Sequence, residues 1–190
     1  PVTPIIFAWQ FLKKLGLEKS LQIDINSIGC ETCRPKMKKK QIEYFQNFLA
    51  DLCPDCNRRF IENPLRIFDC KVTKCQKIIN SAPQIIDLLC AECKNHFKQV
   101  LENLDYLQLP YNLNPRLVRG LDYYCRTVFE IYLADDKERN STILAGGRYD
   151  LGPLGDSKET PAIGWAAGVE RLINTIKEKE IEIPEEKMTN

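Results

Sequence analysis

Four groups of residues carry functional chemistry by their types and spacing. Arg119 stands in Leu117-Val118-Arg119-Gly120-Leu121-Asp122-Tyr123-Tyr124, where an arginine, an aspartate and two tyrosines fall within six residues around a glycine. A guanidinium offers a planar fork matched to phosphate or carboxylate. Tyrosine rings wall a pocket while their hydroxyls meet a polar ligand. Gly120 admits a close backbone approach or an unusual dihedral. The block therefore fits an anion-and-ring pocket, or a surface Arg–Asp pair with tyrosines in a core. In Gly146-Gly147-Arg148-Tyr149-Asp150, a glycine pair at a strand end leaves room for a ligand against the backbone, or makes a tight turn. In Gly164-Trp165-Ala166-Ala167-Gly168-Val169-Glu170-Arg171, small residues join a strand to a helix with Arg171 in its first turn. Free N–H groups and the helix dipole favour an anion there, and the arginine suits a polyphosphate. The other reading is close strand–helix packing with a solvated arginine.

The fourth group is cysteine. Eight of the nine cysteines lie between Cys30 and Cys93, as three Cys-x-x-Cys pairs (Cys30/Cys33, Cys53/Cys56, Cys90/Cys93) and a looser pair, Cys70/Cys75. Such knuckles suit tetrahedral Zn²⁺. If Pro35 to Leu52 is one helix, it spans about 27 Å at 1.5 Å per residue. The first two pairs then sit too far apart to share an ion with bonds of ~2.3 Å. The expected site takes Cys53 and Cys56 with Cys70 and Cys75, or with Cys90 and Cys93. Its metal is structural, because no open-site histidine accompanies it. His96, the single histidine, reads as a surface residue on a helix. The alternative for the cysteines is reduced, half-buried thiols or a disulfide.

Those residues need a scaffold. At 190 residues and 44% hydrophobic, the chain can bury a core in one large or two small domains. A net charge of +1 gives no global attraction to nucleic acid or membrane, so basic surface is local, as at Lys36 to Lys40. No apolar run approaches the ~20 residues that cross a bilayer, and no signal peptide is visible. The Lys/Glu-rich sequence reads as intracellular. It begins at Pro1 with residues that already read as helix, so it is expected to be a fragment.

Thr3 and Pro4 read as cap and first position of a helix with Ile6, Trp9, Leu12 and Leu15 on one face, stopped by Gly16. Leu21, Ile23 and Ile25 alternate with Gln22, Asp24 and Asn26, a strand with one buried face. In the Pro35–Leu52 helix, Ile42, Phe45, Phe48, Leu49 and Leu52 form the stripe. Pro64 and Pro83 interrupt the next stretch, and Asp87 to Leu104 reads as one or two helices with Phe97, Val100, Leu101 and Leu104 on one face. Val128–Leu133 and Thr142–Ala145 read as a hairpin around a polar loop, Asp135 to Asn140. A loop from Leu151 to Thr160 leads to a strand, Ala162–Trp165. The following helix should turn Val169, Leu172, Ile173 and Ile176 inward, and Lys177 to Asn190 reads as a linker.

In this order the blocks resemble class II aminoacyl-tRNA synthetases, and among them the histidyl-tRNA synthetases. The first is similar to that family's histidine signature, Arg-Gly-Leu-Asp-Tyr-Tyr followed after two variable residues by Thr-Val-Phe-Glu, here Thr127 to Glu130. Ala145 to Asp150 resembles its Ala-Gly-Gly-Arg-Tyr-Asp segment. Gly164 to Arg171, with Pro161-Ala162-Ile163 before it, looks like class II motif 3. Ile25 to Gly29 and Asn63 to Ile67 resemble parts of the family's insertion domain. The resemblance implies an α+β fold: part of a class II antiparallel sheet flanked by helices, from residues 1–26 and 105–176, with a helical insertion at 27–104 and a linker at 177–190.

It also implies roles. Arg119 would be the catalytic arginine, contacting the α-phosphate of ATP and the histidine carboxylate. Tyr123 and Tyr124 would bind the imidazole, with Gly147, Arg148 and Tyr149 lining the histidine and adenylate site. Arg171 and Gly168 would belong to the ATP site, with Arg171 on the γ-phosphate. The reaction would form histidyl-adenylate from histidine and ATP with Mg²⁺, then acylate the terminal ribose of the histidine tRNA. The full-length protein would be a cytoplasmic homodimer, and Lys36 to Lys40 could meet tRNA phosphates. No segment resembles motif 1, motif 2 or an anticodon-binding domain, so these residues alone are expected not to activate histidine. A second reading is a synthetase-like regulatory subunit of ATP phosphoribosyltransferase. Such paralogues tend to lose the full Arg-Gly-Leu-Asp-Tyr-Tyr block, which stands here. A third, a zinc-binding nucleic-acid module, would explain residues 27–104 and nothing after them.

Overall fold

A computed structural model describes residues 1–120, 123–134, 142–151 and 160–182. Leu121 and Asp122, the expected loop at Asp135 to Asn140, residues 152–159 and the end of the expected linker from residue 183 lie outside the described residues.

Helix α1 (Val2–Lys14) buries Ile5, Ala8, Trp9 and Leu12. Its N-cap is Pro1, so Thr3 lies within the first turn and is not the cap. Pro4 lacks only an N–H that a first turn leaves unpaired, which lets the helix begin earlier. Gly16 stops it with a φ of 78°. The N–H groups of Gly16 and Leu17 bond the carbonyls of Lys13 and Leu12 at 2.9 and 3.1 Å, a Schellman closure that a left-handed residue makes.

The sheet is built on β1 (Leu21–Ser27), β2 (Tyr111–Leu113), β3 (Tyr124–Leu133), β4 (Thr142–Asp150) and β5 (Pro161–Ala167). Its order is β2-β1-β3-β4-β5. The β1–β2 pair is parallel and the other pairs antiparallel. Strand alternation divides it into two faces. On one, Leu21, Ile23 and Ile25 align with Leu133, Ile131 and Phe129 and pack with α1, Phe97, Val100, Leu104 and Leu172 in one core. On the other, Gln22, Asp24 and Asn26 align with Tyr132, Glu130 and Val128. The polar edge of β1 is not solvated as its alternation predicts: Asp24 and Asn26 are 2% and 1% exposed. Asp24 accepts bonds from Asn114 at 2.6 Å and Tyr132 at 2.9 Å. Asn26 Nδ2 donates to the Leu117 carbonyl at 2.9 Å. Buried polar groups need such partners.

The segment between β1 and β2 is helical: α2 (Arg34–Phe45), α3 (Pro54–Glu62), α4 (Thr73–Asn80) and α5 (Ala91–Tyr106), with short 3₁₀ turns between them. The expected helix to Leu52 ends at Phe45 and passes into a 3₁₀ turn. Its buried face reads Met37, Gln41 and Phe45, while Leu49 stays exposed. Phe45, Ile67, Phe68, Ile79 and Ile85 make a second core with the cysteines, which reaches Leu117, Val118 and Val128 on the polar side of the sheet. Helix α5 belongs to both cores: Cys93 packs with the cysteines, and Phe97, Val100 and Leu104 pack under the sheet.

Helix α6 (Val169–Glu178) buries Leu172 and Thr175. Val169 and Ile173, expected inward, are 62% and 46% exposed. The helix is pinned where the Gly168 N–H bonds the Ile143 carbonyl at 3.1 Å, beside the end of the sheet, so one row of side chains finds cover. Within the stretch read as linker, α6 runs through Lys177, and Ile181 packs on the sheet core. Among the described residues, no helix is long and apolar enough to cross a membrane.

Candidate active site

The polar sheet face gathers most of the residues singled out by type. Arg119 leaves the loop before β3. Its guanidinium contacts Glu130 Oε1 at 3.0 Å and donates to the Phe129 carbonyl at 2.7 Å. Its side chain is 14% exposed, and its Nε is buried without a partner among the described residues. Glu130 also accepts from Thr142 Oγ1 at 3.2 Å, and Arg171 Nη1 donates to the Thr142 carbonyl at 2.6 Å. One polar run thus links the two arginines expected to handle phosphate. Gly168 stands at the N-cap of α6, with its own N–H committed to β4. Arg171 is exposed, so of the two arginines it is the more accessible to an anion.

Space opens beside Arg119 and beside its partner Glu130. A cavity of about 440 Å³ is lined by Arg119, Arg34, Lys38, Gln41, Glu62 and Asn63. Gln41 is 1% exposed, and its Nε2 has no partner among the described residues. A groove of about 880 Å³ includes Asp24, Asp69, Asn112, Glu130, Tyr132 and Thr142. Burial pushes the Asp69 carboxyl up to about 6, against the pull of Arg59. Sequence reading missed Gln41 and Glu130 as site residues. The available signal was a polar residue on an apolar helix face, and a carboxylate inside a strand-like run.

Three tyrosines form a ring cluster. Tyr123 and Tyr124 stack at 5.0 Å, and Tyr149 meets them edge-on at 5.7 and 5.9 Å. Burial raises the Tyr124 hydroxyl, although the Arg119 charge opposes it. The glycine pair sits inside β4 rather than at its end, because β4 runs on to Asp150. A Cβ on Gly147 would lie 2.6 Å from the Thr127 carbonyl and 3.1 Å from the Tyr124 ring. A Cβ on Gly146 would lie 2.4 Å from the Gly164 carbonyl. The glycines therefore admit Tyr124 and the neighbouring strands, not a turn. Gly120 is under no such demand: an added Cβ would rest 3.6 Å from Arg66 in ordinary contact. Arg148, one residue from Tyr149, points to the opposite face by strand alternation. There its charge acts on Cys125, His96 and the Pro1 amine.

The cysteines form two groups. Cys53, Cys56, Cys70 and Cys75 have sulfurs within 4.8 Å of one another, and so do Cys30, Cys33, Cys90 and Cys93. The expected set of six is thus divided. Cys70 and Cys75 join Cys53 and Cys56, while Cys90 and Cys93 join Cys30 and Cys33, which the expected site left out. Cys33, Cys53 and Cys90 are the N-cap residues of α2, α3 and α5. For Cys30, burial raises the thiol, but bonds from the Cys33 backbone, the Cys93 thiol and the Thr32 backbone outweigh it and bring it to about 6. Cys125 stands apart, its thiol pushed up by burial.

A mostly antiparallel sheet flanked by helices is a fold this chain shares with a solved tRNA synthetase. The crystal structure of apo histidyl-tRNA synthetase from S. aureus is similar at a TM-score of 0.72 and 34% identity, over 94% of this chain and 43% of that one. A histidine–tRNA ligase subunit structure from Alicyclobacillus acidocaldarius shares the fold at a TM-score of 0.55 and 18% identity, over 95% of this chain and 62% of that one. Histidine–tRNA ligases of Clostridium botulinum and Desulfotalea psychrophila are 47% and 44% identical over 176 and 178 residues, or 92% and 93% of this chain. The sequence model of the family described as Histidyl-tRNA synthetase matches residues 33–172, and the chain belongs to that family. It spans about 41% of the length of those curated relatives.

Proposed function

We propose that this chain carries the histidine-recognition side of a histidine–tRNA ligase active site. The observation that supports this most directly is the convergence of Arg119, Glu130, Tyr124 and Tyr149 on one sheet face. Histidine would seat its imidazole beside the cluster of Tyr123, Tyr124 and Tyr149, for which Gly147 makes room, with Arg148 backing the strand from the other face. Its carboxylate oxygen would attack the α-phosphorus of ATP, and pyrophosphate would leave. Arg119 would neutralise charge developing on the α-phosphate, where Glu130 and the Phe129 carbonyl hold its guanidinium in place. Arg171, in the first turn of α6 beside Gly168, would hold the γ-phosphate. Mg²⁺ would arrive with ATP and neutralise its phosphates. The adenylate would then acylate the terminal ribose of the histidine tRNA. The exposed Lys36, Lys38, Lys39 and Lys40 of α2 are the local basic surface for tRNA phosphates. Insertion 27–104, catalytic segments 1–26 and 105–176, a homodimeric full-length protein and a cytoplasmic location complete this reading. Cys53, Cys56, Cys70 and Cys75 would hold one structural Zn²⁺.

Histidine-dependent ATP–pyrophosphate exchange by the intact protein containing this chain tests the reading. Exchange is expected, and Arg119→Ala should lower kcat by about 10²-fold or more with its circular dichroism unchanged. Exchange supported by another amino acid, or untouched by Arg119→Ala, would sink it.

A further inference from the structure

We propose that Cys30, Cys33, Cys90 and Cys93 form a second structural zinc site, which ties the helical insertion to the strand carrying the tyrosines. The proposal does not rest on the function above, because it stands on the geometry of the four sulfurs. Four thiolates around one Zn²⁺ at ~2.3 Å define a tetrahedron with edges of about 3.8 Å. The Cys30 sulfur lies 3.7 Å from that of Cys33 and 3.9 Å from that of Cys90, and all four fall within 4.8 Å. A disulfide would need about 2.05 Å. The sulfur positions therefore suit ligands to one ion.

Backbone N–H groups and a cation face the sulfurs. The Cys90 N–H donates to Cys33 Sγ at 3.2 Å, and the Cys93 N–H to Cys90 Sγ at 3.5 Å. Cys33 and Cys90 stand at helix N-termini, where the dipole favours negative charge. Arg126 interacts electrostatically with Cys30 and Cys93 and offsets the charge of a tetrathiolate. Binding converts four thiols to four Zn–S bonds and releases four protons to solvent. Four protein ligands leave no open position, so the metal is structural. Cys33 and Cys93 are buried at 1% and 0%, while Cys30 and Cys90 are half-buried. The ion is enclosed yet can be reached from the surface.

Short backbone contacts carry the site into the sheet. The Arg126 N–H bonds the Gly29 carbonyl and the Ile28 N–H bonds the Arg126 carbonyl, each at 2.7 Å. Arg34, next to Cys33, donates to the Tyr124 carbonyl. Gly29 has a φ of 72°, and a Cβ there would lie 2.6 Å from Cys33 Cβ, so the glycine lets Cys33 fold back toward the other sulfurs.

The test is metal analysis of the chain produced in zinc-supplemented medium and purified under reducing conditions. Wild type should hold zinc that Cys30→Ser/Cys33→Ser loses and Cys53→Ser/Cys56→Ser keeps. Because a variant can fail to fold, native wild type is also alkylated with iodoacetamide and mapped by mass spectrometry. Cys30 and Cys90 should resist at least ten-fold better before than after treatment with a chelator. Zinc retained in full by Cys30→Ser/Cys33→Ser, iron in its place, or Cys30 alkylated equally fast with and without chelator would overturn the proposal.

Discussion

Arg119 and Gly147 show how differently single residues depend on context. The arginine's chemistry is intrinsic, since a planar cation pairs with anions wherever it sits. Gly147 has meaning only through what approaches it. Gly147→Ala should destabilise the fold by about 1–3 kcal/mol through overpacking, because backbone and the Tyr124 ring stand where the methyl would go. Urea denaturation measures this, and a neutral result would mean the strands part without cost. Gly120→Ala should be close to neutral in the same assay. His96 makes a pH prediction. Burial and the charges of Arg126 and Arg148 hold its imidazole below the usual range. An unfolded histidine takes its proton near ~6.5, so below that pH the unfolded state binds more protons and stability falls with falling pH. His96→Gln should therefore lose less Tm than wild type between about pH 7 and about pH 5.5. Equal losses would show that His96 is not the group responsible. The sequence reading of His96 as a surface residue missed its buried Nδ1, since helical position alone does not say what packs above it.

Elements were legible where one periodicity governed them. The stripe Phe97, Val100 and Leu104 became the buried face of α5, and the alternating β1 became a strand. The readings that slipped are those where a neighbour decided. Helix α2 ends at Phe45 without a breaking residue, and a 3₁₀ turn leads on toward Cys53 at the N-cap of α3. Strand β2 is three residues long, exposed in two of them, and exists because α5 returns the chain beside β1. Helix α6 has an apolar pattern wider than the surface that covers it. Leu172→Ala should cost about 2–5 kcal/mol, while Ile173→Ala should stay within about 0.5 kcal/mol, as read from thermal unfolding of the isolated chain. Comparable losses would mean that Ile173 is packed after all.

For the whole molecule, the two hydrophobic cores meet across the sheet. Phe97, Val100 and Leu104 lie under it, while Leu117, Val118 and Val128 join the cysteine-rich core. Residues 27–104 expressed alone should therefore expose the lower half of α5, bind a hydrophobic dye and melt without cooperativity. A sharp transition with no dye binding would show that the insertion is self-sufficient. The second sulfur cluster couples the same two parts through Gly29 and Arg126. On the proposed zinc and histidine sites, chelation should lower Tm and weaken histidine binding by the intact protein together, the latter by roughly ten-fold, or about 1.4 kcal/mol. Calorimetric titration before and after chelation measures it; unchanged affinity would uncouple cluster and pocket.

By itself the sequence determined the chemical inventory: Arg119 with Tyr123 and Tyr124, the glycine pair, Arg171 and four pairs of thiols, together with the alternation that puts Gln22, Asp24 and Asn26 on one face of β1. Those follow from residue type and from the repeats of helix and strand, which are local. Tertiary structure decided which groups meet. It placed Glu130 and Thr142 between the two arginines, turned Arg148 away from the tyrosines and filled the space above Gly147 with Tyr124. It also paired Cys30 and Cys33 with Cys90 and Cys93 across some sixty residues of chain. Pairings at that separation depend on how α2 and α5 pack, and no local propensity encodes that.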